Sequence, residues 1–141
     1  MEGTENGSNI IDVAAGLVFR DGKLLITERY ADAHLGGLWE FPGGKREPGE
    51  SFEQCLEREL REELGIEVVV GRLVDSLTHE YPERTVHLQF FRCDWKENEP
   101  RPLGCAACQW VTPEELKNYD FPEADARLLE LLKEQPGLWC R

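Results

Sequence analysis

The chain has 141 residues, 40% of them apolar and 31% charged, a composition suited to one globular domain with its own core. Its formal net charge of −12 leaves no basic stripe to neutralise a phosphate backbone, which argues against a stable nucleic-acid partner. No apolar run approaches the ~20 residues of a membrane-spanning helix.

The acidic balance still allows a small phosphorylated ligand, because a bound divalent cation reverses the local sign. Residues 1–9 are polar, lack a signal-peptide hydrophobic region and read as a flexible tail. Residues 10–141 read as one domain, expected in the cytoplasm as a monomer or weak homodimer. The five cysteines (Cys55, Cys93, Cys105, Cys108 and Cys140) form an odd set without a small secreted framework, so free thiols are expected. Cys105-Ala-Ala-Cys108 has the spacing of half a zinc site, but no second pair completes it.

In chain order, Ile10 to Arg20 is apolar and rich in β-branched residues. Asp21-Gly22 offers a type I′ turn, and Leu24 to Glu28 returns as a second strand. Tyr30 to Glu40 reads as a loop, and Phe41-Pro42-Gly43-Gly44 as a short strand end leading into a turn. Ser51 and Gln54 have the spacing of a capping box at the start of a helix that runs to about Leu64, where Gly65 supplies the stop. Val68 to Val74 is a strand, and Leu77 to Tyr81 with Thr85 to Trp95 a hairpin turning near Pro82-Glu83. Cys108 to Val111 is a further strand, Thr112 to Glu115 a helical turn, and Pro122 to Lys133 the second main helix. A mixed sheet between two helices is the economical architecture, an α/β (α+β) fold.

The first helix carries Glu59, Glu62 and Glu63 together. Carboxylates three or four residues apart repel by roughly 0.2–0.5 kcal/mol per pair on an exposed helix. On a helical projection at about 100° per residue from Phe52, the apolar residues Cys55, Leu56, Leu60 and Leu64 define one arc. Glu59 and Glu63 fall inside that arc, and Glu62 at its edge. The pattern turns all three toward the body of the protein. Buried carboxylates need a partner. Arg58, four residues from Glu62, serves one of them and cannot serve three. A hard divalent cation can, since oxygen ligands suit Mg²⁺ or Mn²⁺, and Mg²⁺ completes its shell with water and substrate phosphates. Gly43 and Gly44 let the backbone come close to a ligand, and Gly49 allows a tight approach to the helix. His34, His79 and His87 show no ligand spacing and read as loop or strand surface.

Gly44, five residues, Glu50, seven residues, then Arg58-Glu59-Leu60-x-Glu62-Glu63-x-Gly65-Ile66 resembles a complete Nudix box over 23 residues. The stretches ADAHLGGLWEFPGGK and FPEADARLLELL extend the resemblance to MutT-type nucleotide pyrophosphohydrolases over about Ile10 to Leu132. The resemblance implies an α/β/α sandwich around a mixed sheet and Mg²⁺-dependent cleavage of a nucleoside triphosphate into monophosphate and pyrophosphate. It implies that Glu62, Glu63 and the Gly43 carbonyl hold the metal, that Glu59 orients or deprotonates the attacking water, and that Glu50 and Arg58 shape the loop. It also implies Arg29 against the substrate phosphate, where an exposed strand-end arginine is the plainer alternative. Trp39 and Phe41 are either base-pocket or core aromatics.

Two positions depart from the pattern. Where relatives often carry a further acidic ligand, six residues before Trp110, this chain has Gly104, and Glu97 or Glu99 are the nearby substitutes. Where 8-oxoguanine-specific enzymes can have Asn, it has Asp125. A carboxylate accepts hydrogen bonds, either from the seventh nitrogen of 8-oxoguanine or from the amine of cytosine. A helix-dipole role is the alternative. The expected function is removal of damaged or surplus nucleotides, 8-oxo-dGTP first. The alternatives are CTP or 5-methyl-dCTP hydrolysis and a non-catalytic nucleotide sensor, the latter disfavoured because every box glutamate is kept.

Overall fold

The structure is a computed structural model that describes residues 10–140; the tail assigned to residues 1–9 lies outside it. Among the described residues seven strands form: β1 (Ile10–Arg20), β2 (Lys23–Glu28), β3 (Trp39–Glu40), β4 (Gly43–Lys45), β5 (Glu67–Glu80), β6 (Thr85–Glu97) and β7 (Ala107–Val111). The helices are α1 (Phe52–Leu64), α2 (Pro113–Leu116) and α3 (Ala126–Glu134), with 3-10 turns at Glu123–Asp125 and Pro136–Trp139. The main sheet runs β3-β2-β1-β6-β5, with β4 paired to β1 and β7 to β2. It is mixed, because β1 and β6 are parallel, from Ile10 opposite Thr85 to Phe19 opposite Asp94.

The central strand β1 is buried without a break from Ala14 to Phe19. That pattern belongs to a strand covered on both faces. Successive side chains alternate between two cores. Ala15, Leu17, Phe19, Leu24 and Ile26 join Leu128 and Leu132 of α3. Ala14, Val18 and Leu25 join Cys55, Leu56, Leu60 and Leu64 of α1. The result is the expected sandwich of a mixed sheet between helices.

Local rules act where the sequence places them. Asp21 and Gly22 both have positive φ, 51° and 78°, as a type I′ turn requires. Ser51 Oγ accepts the Gln54 amide at 3.0 Å and the Gln54 side chain accepts the Ser51 amide at 2.9 Å, closing the capping box. Gly65 ends α1 in the left-handed region.

Three expectations change. Val68–Val74 and Leu77–Tyr81 are not separate strands but parts of the continuous β5, which carries register shifts between Val70, Leu73 and Asp75. A bulge offsets the in–out alternation and so looks like a strand end in the sequence. The short strand expected to end at Phe41–Gly44 begins only at Gly43, as β4, where Gly43 and Gly44 pair with Ala15 and Ala14. The second main helix begins later than Pro122, after a 3-10 turn, and Asp125 sits at its N-cap. All five cysteines are free thiols.

Candidate active site

The pairing of β4 with β1 places Gly43 and Gly44 beside the middle of α1. A side chain at Gly43 would run into the Ala14 carbonyl, and one at Gly44 would overlap the Glu59 carboxylate. Glu59 therefore lies on the glycine strand. Gly49 takes φ 85° in the intervening loop, which lets the chain turn from β4 into α1.

Arg58 is the hub. Its guanidinium grips Glu50 with both arms, Nε to Oε2 at 2.6 Å and Nη2 to Oε1 at 3.0 Å. Nη1 donates to Glu59 at 2.9 Å and to Glu62 at 3.3 Å, and Nη2 to the Lys45 carbonyl at 3.1 Å. Arg58 thus touches three box glutamates, not Glu62 alone as the helical spacing suggests. Its ion pair, with the Glu47 amide adding a hydrogen bond, holds Glu50 down at about 2.

Glu59 and Glu63 face inward, as the helical projection places them. Burial raises the pKa of Glu59 despite Arg58. Burial, reinforced by the charges of Glu59 and Glu40, pushes Glu63 up to about 8, against a hydrogen bond from the Gly43 amide. Glu62 corrects the projection: its side chain is 60% exposed and points to solvent beside Arg58.

Arg29 does not stand free. It donates to Glu40 at 2.8 Å and to the His34 carbonyl at 2.6 Å, so it is neither an unpartnered phosphate ligand nor an ordinary exposed arginine. Glu40 is the residue that reading the sequence missed. It lies on β3 opposite Thr27, and burial raises its pKa although Arg29 opposes it. Its signal lay between two aromatics, in Trp39-Glu40-Phe41, where a charge on a strand that packs against the core calls for a partner.

At the far end, Asp125 is 9% exposed and is pushed up to about 6 by burial and then by Glu40. Its side chain makes no capping hydrogen bond and has no hydrogen-bond partner among the described residues. It still stands at the N-terminus of α3, where the helix-dipole role would place it. Phe41, 5% exposed, belongs to the core and stacks on Phe121 with ring centroids 5.0 Å apart. Trp39 packs edge-on against Tyr119.

The charges of Glu59 and Glu40 thus act on Glu63 and that of Glu40 on Asp125, while Arg29 opposes the shifts of Glu40 and Glu63. Among the described residues no three acid, histidine or cysteine side chains converge as a ready-made cage. The all-oxygen donors and the mutual repulsion of Glu59 and Glu63 nevertheless suit a hard cation that takes one or two carboxylates and completes its shell elsewhere. Gly104 lies beside Glu63, and a Cβ there would come within 3.1 Å of the Glu63 side chain. Neither substitute replaces it: Glu99 pairs with Arg20, and Glu97 lies exposed at the end of β6 opposite Glu67. Two clefts of about 480 and 570 Å³ lie elsewhere, one around Arg20 and Trp95, the other between α2 and α3.

The NUDIX domain model matches residues 14–131. The chain is 44% identical over 121 residues to the CTP pyrophosphohydrolase of Escherichia coli, covering 86% of this chain and 90% of that protein. It is 36% identical over 124 residues to the 8-oxo-dGTP diphosphatase of the same organism, covering 87% and 96%. The solution structure of the E. coli ORF135 protein superposes with a TM-score of 0.79 at 43% identity, over 92% of this chain and 93% of that one.

Proposed function

The chain belongs to the NUDIX domain family, whose hydrolases use a divalent metal, and we propose that it is a Mg²⁺-dependent nucleoside triphosphate pyrophosphohydrolase that clears 8-oxo-dGTP. The observation that carries this reading is the burial of Glu59 and Glu63 side by side against Gly43-Gly44, with their carboxyl groups held away from their ordinary ionisation. Two such groups repel in the free protein and suit a cation with substrate phosphates.

Glu63, Glu62 and the Gly43 carbonyl would hold Mg²⁺, with Mn²⁺ as a substitute. Bound there, the metal would supply charge neutralisation for the phosphates and a lowered pKa for water. Glu59, aimed by Arg58, holds the attacking water and takes its proton. Glu50 keeps Arg58 in place. Arg29, already paired with Glu40, steadies the phosphate side of the cleft. Phosphoryl transfer needs positioning and charge neutralisation more than covalent help, and these residues offer both.

Asp125 reads the base. Above its pKa of about 6 it is ionised and accepts only. The N–H that 8-oxoguanine carries at its seventh nitrogen satisfies it, whereas guanine turns lone pairs toward it. The amine of cytosine satisfies it too, and the similarity to a CTP pyrophosphohydrolase favours CTP or 5-methyl-dCTP as the second reading. Pyrophosphate release with Mg²⁺ across a panel of nucleoside triphosphates tests both. Release from 8-oxo-dGTP well above dGTP is expected. A cytosine nucleotide as the best substrate moves the second reading first, and no release from any nucleotide overturns the enzyme.

A further inference from the structure

We propose that Asp12 and Arg46 are positioning residues for the hydrolase, holding the loop between β4 and α1 so that Glu50 keeps Arg58 aimed at Glu59. This rests on the hydrolase reading above. Neither residue is a fixed position of the box.

The attachment is double. The Arg46 amide donates to the Asp12 carbonyl at 2.8 Å, just beyond the last rung of the β1–β4 ladder, where Lys45 faces Val13. The Arg46 side chain then returns to the same residue, Nη2 to Asp12 Oδ2 at 2.8 Å. Its other arm donates to the Glu50 carbonyl at 3.0 Å, and its guanidinium lies 5.3 Å from the centre of the Phe52 ring. Arg46 thus spans the loop from β1 to the residue whose carboxylate grips Arg58.

Asp12 is itself anchored. His87 lies opposite it in the parallel β1–β6 pairing, and its Nδ1 is 3.3 Å from Asp12 Oδ1. His87 Nε2 is 3.2 Å from Ser76 Oγ on β5. Arg46 and His87 together hold the Asp12 carboxyl below its ordinary value, in keeping with a settled ion pair. The Arg46 Nε is buried without a partner, so the guanidinium is placed for its two arms and not for its own best solvation.

The magnitudes separate two roles. Half-exposed ion pairs of this kind add little to stability. A displacement of about 1 Å at a catalytic group costs on the order of 100-fold in rate. The pair therefore acts on turnover far more than on folding.

The test compares Asp12→Asn, Arg46→Gln and the double variant with the unmodified protein. It measures kcat and KM for pyrophosphate release at saturating Mg²⁺, melting temperature, and amide hydrogen exchange at Arg46 and Glu50. Each single variant is expected to lose about tenfold or more in kcat, with KM within about threefold and melting temperature within about 4 °C. Exchange at both amides speeds up. The double variant loses no more than the worse single, because the two residues act as one unit. Unchanged kcat or unchanged exchange in both singles overturns the proposal. So do multiplying losses, or a kcat loss that merely follows collapse of the fold. If the unmodified protein hydrolyses no nucleotide, the hydrolase reading fails, and the exchange measurement still decides whether the pair holds the loop.

Discussion

The carboxylate of Glu59 occupies the space in which a side chain at Gly44 would begin. A methyl group there displaces the end of a flexible side chain, not backbone. Gly44→Ala is therefore expected to leave the melting temperature within a few degrees. It breaks the 2.9 Å contact from Arg58 to Glu59 and lowers turnover by about 100-fold, as does Glu59→Gln. Near-normal turnover in well-folded Glu59→Gln protein removes Glu59 from its role.

Without a cation the charge of Glu59 adds to burial in raising the proton affinity of Glu63. Mg²⁺ or Mn²⁺ that binds the folded state alone stabilises it by mass action, about 2.7 kcal/mol at a hundred times Kd. Thermal melts should show an upward shift with metal, and Glu63→Gln should lose most of it. No shift at saturating metal, together with full activity in EDTA, contradicts the metal site.

Asp125 gives a pH signature. Its folded pKa of about 6 lies above the ordinary 3.8, so between these values the folded protein holds a proton that the unfolded chain releases. Stability from this group is present at low pH and falls as pH rises through that window. At about 1.4 kcal/mol per pKa unit the loss is on the order of 3 kcal/mol. Asp125→Asn should flatten this part of the profile in urea titrations. Asp125→Ala should cost the preferred nucleotide about tenfold or more in kcat/KM and dGTP much less. Equal losses for all nucleotides show that Asp125 supports α3 and does not read the base.

The sequence alone determined whatever depends on neighbours along the chain. The capping box of α1, the Asp21-Gly22 turn, the Gly65 stop and the inward placement of Glu59 and Glu63 follow from backbone rules and helical periodicity, and they stand in the structure. The box itself was legible because its groups lie within 23 residues, on one loop and one helix. Tertiary structure decided what crosses between elements. Glu62 sits at the edge of the helical arc, and only the packing of α1 against the sheet leaves it in solvent. Glu40 joins the acids because β3 pairs with β2 and brings it to Arg29. Asp125 becomes a partnerless buried carboxylate because the 3-10 turn before α3 packs it inside. Asp12, Arg46 and His87, up to 75 residues apart, meet because β1 pairs with β4 on one side and β6 on the other. A side chain's charge is written in the sequence, but its dielectric and its partner are set by elements that meet only on folding.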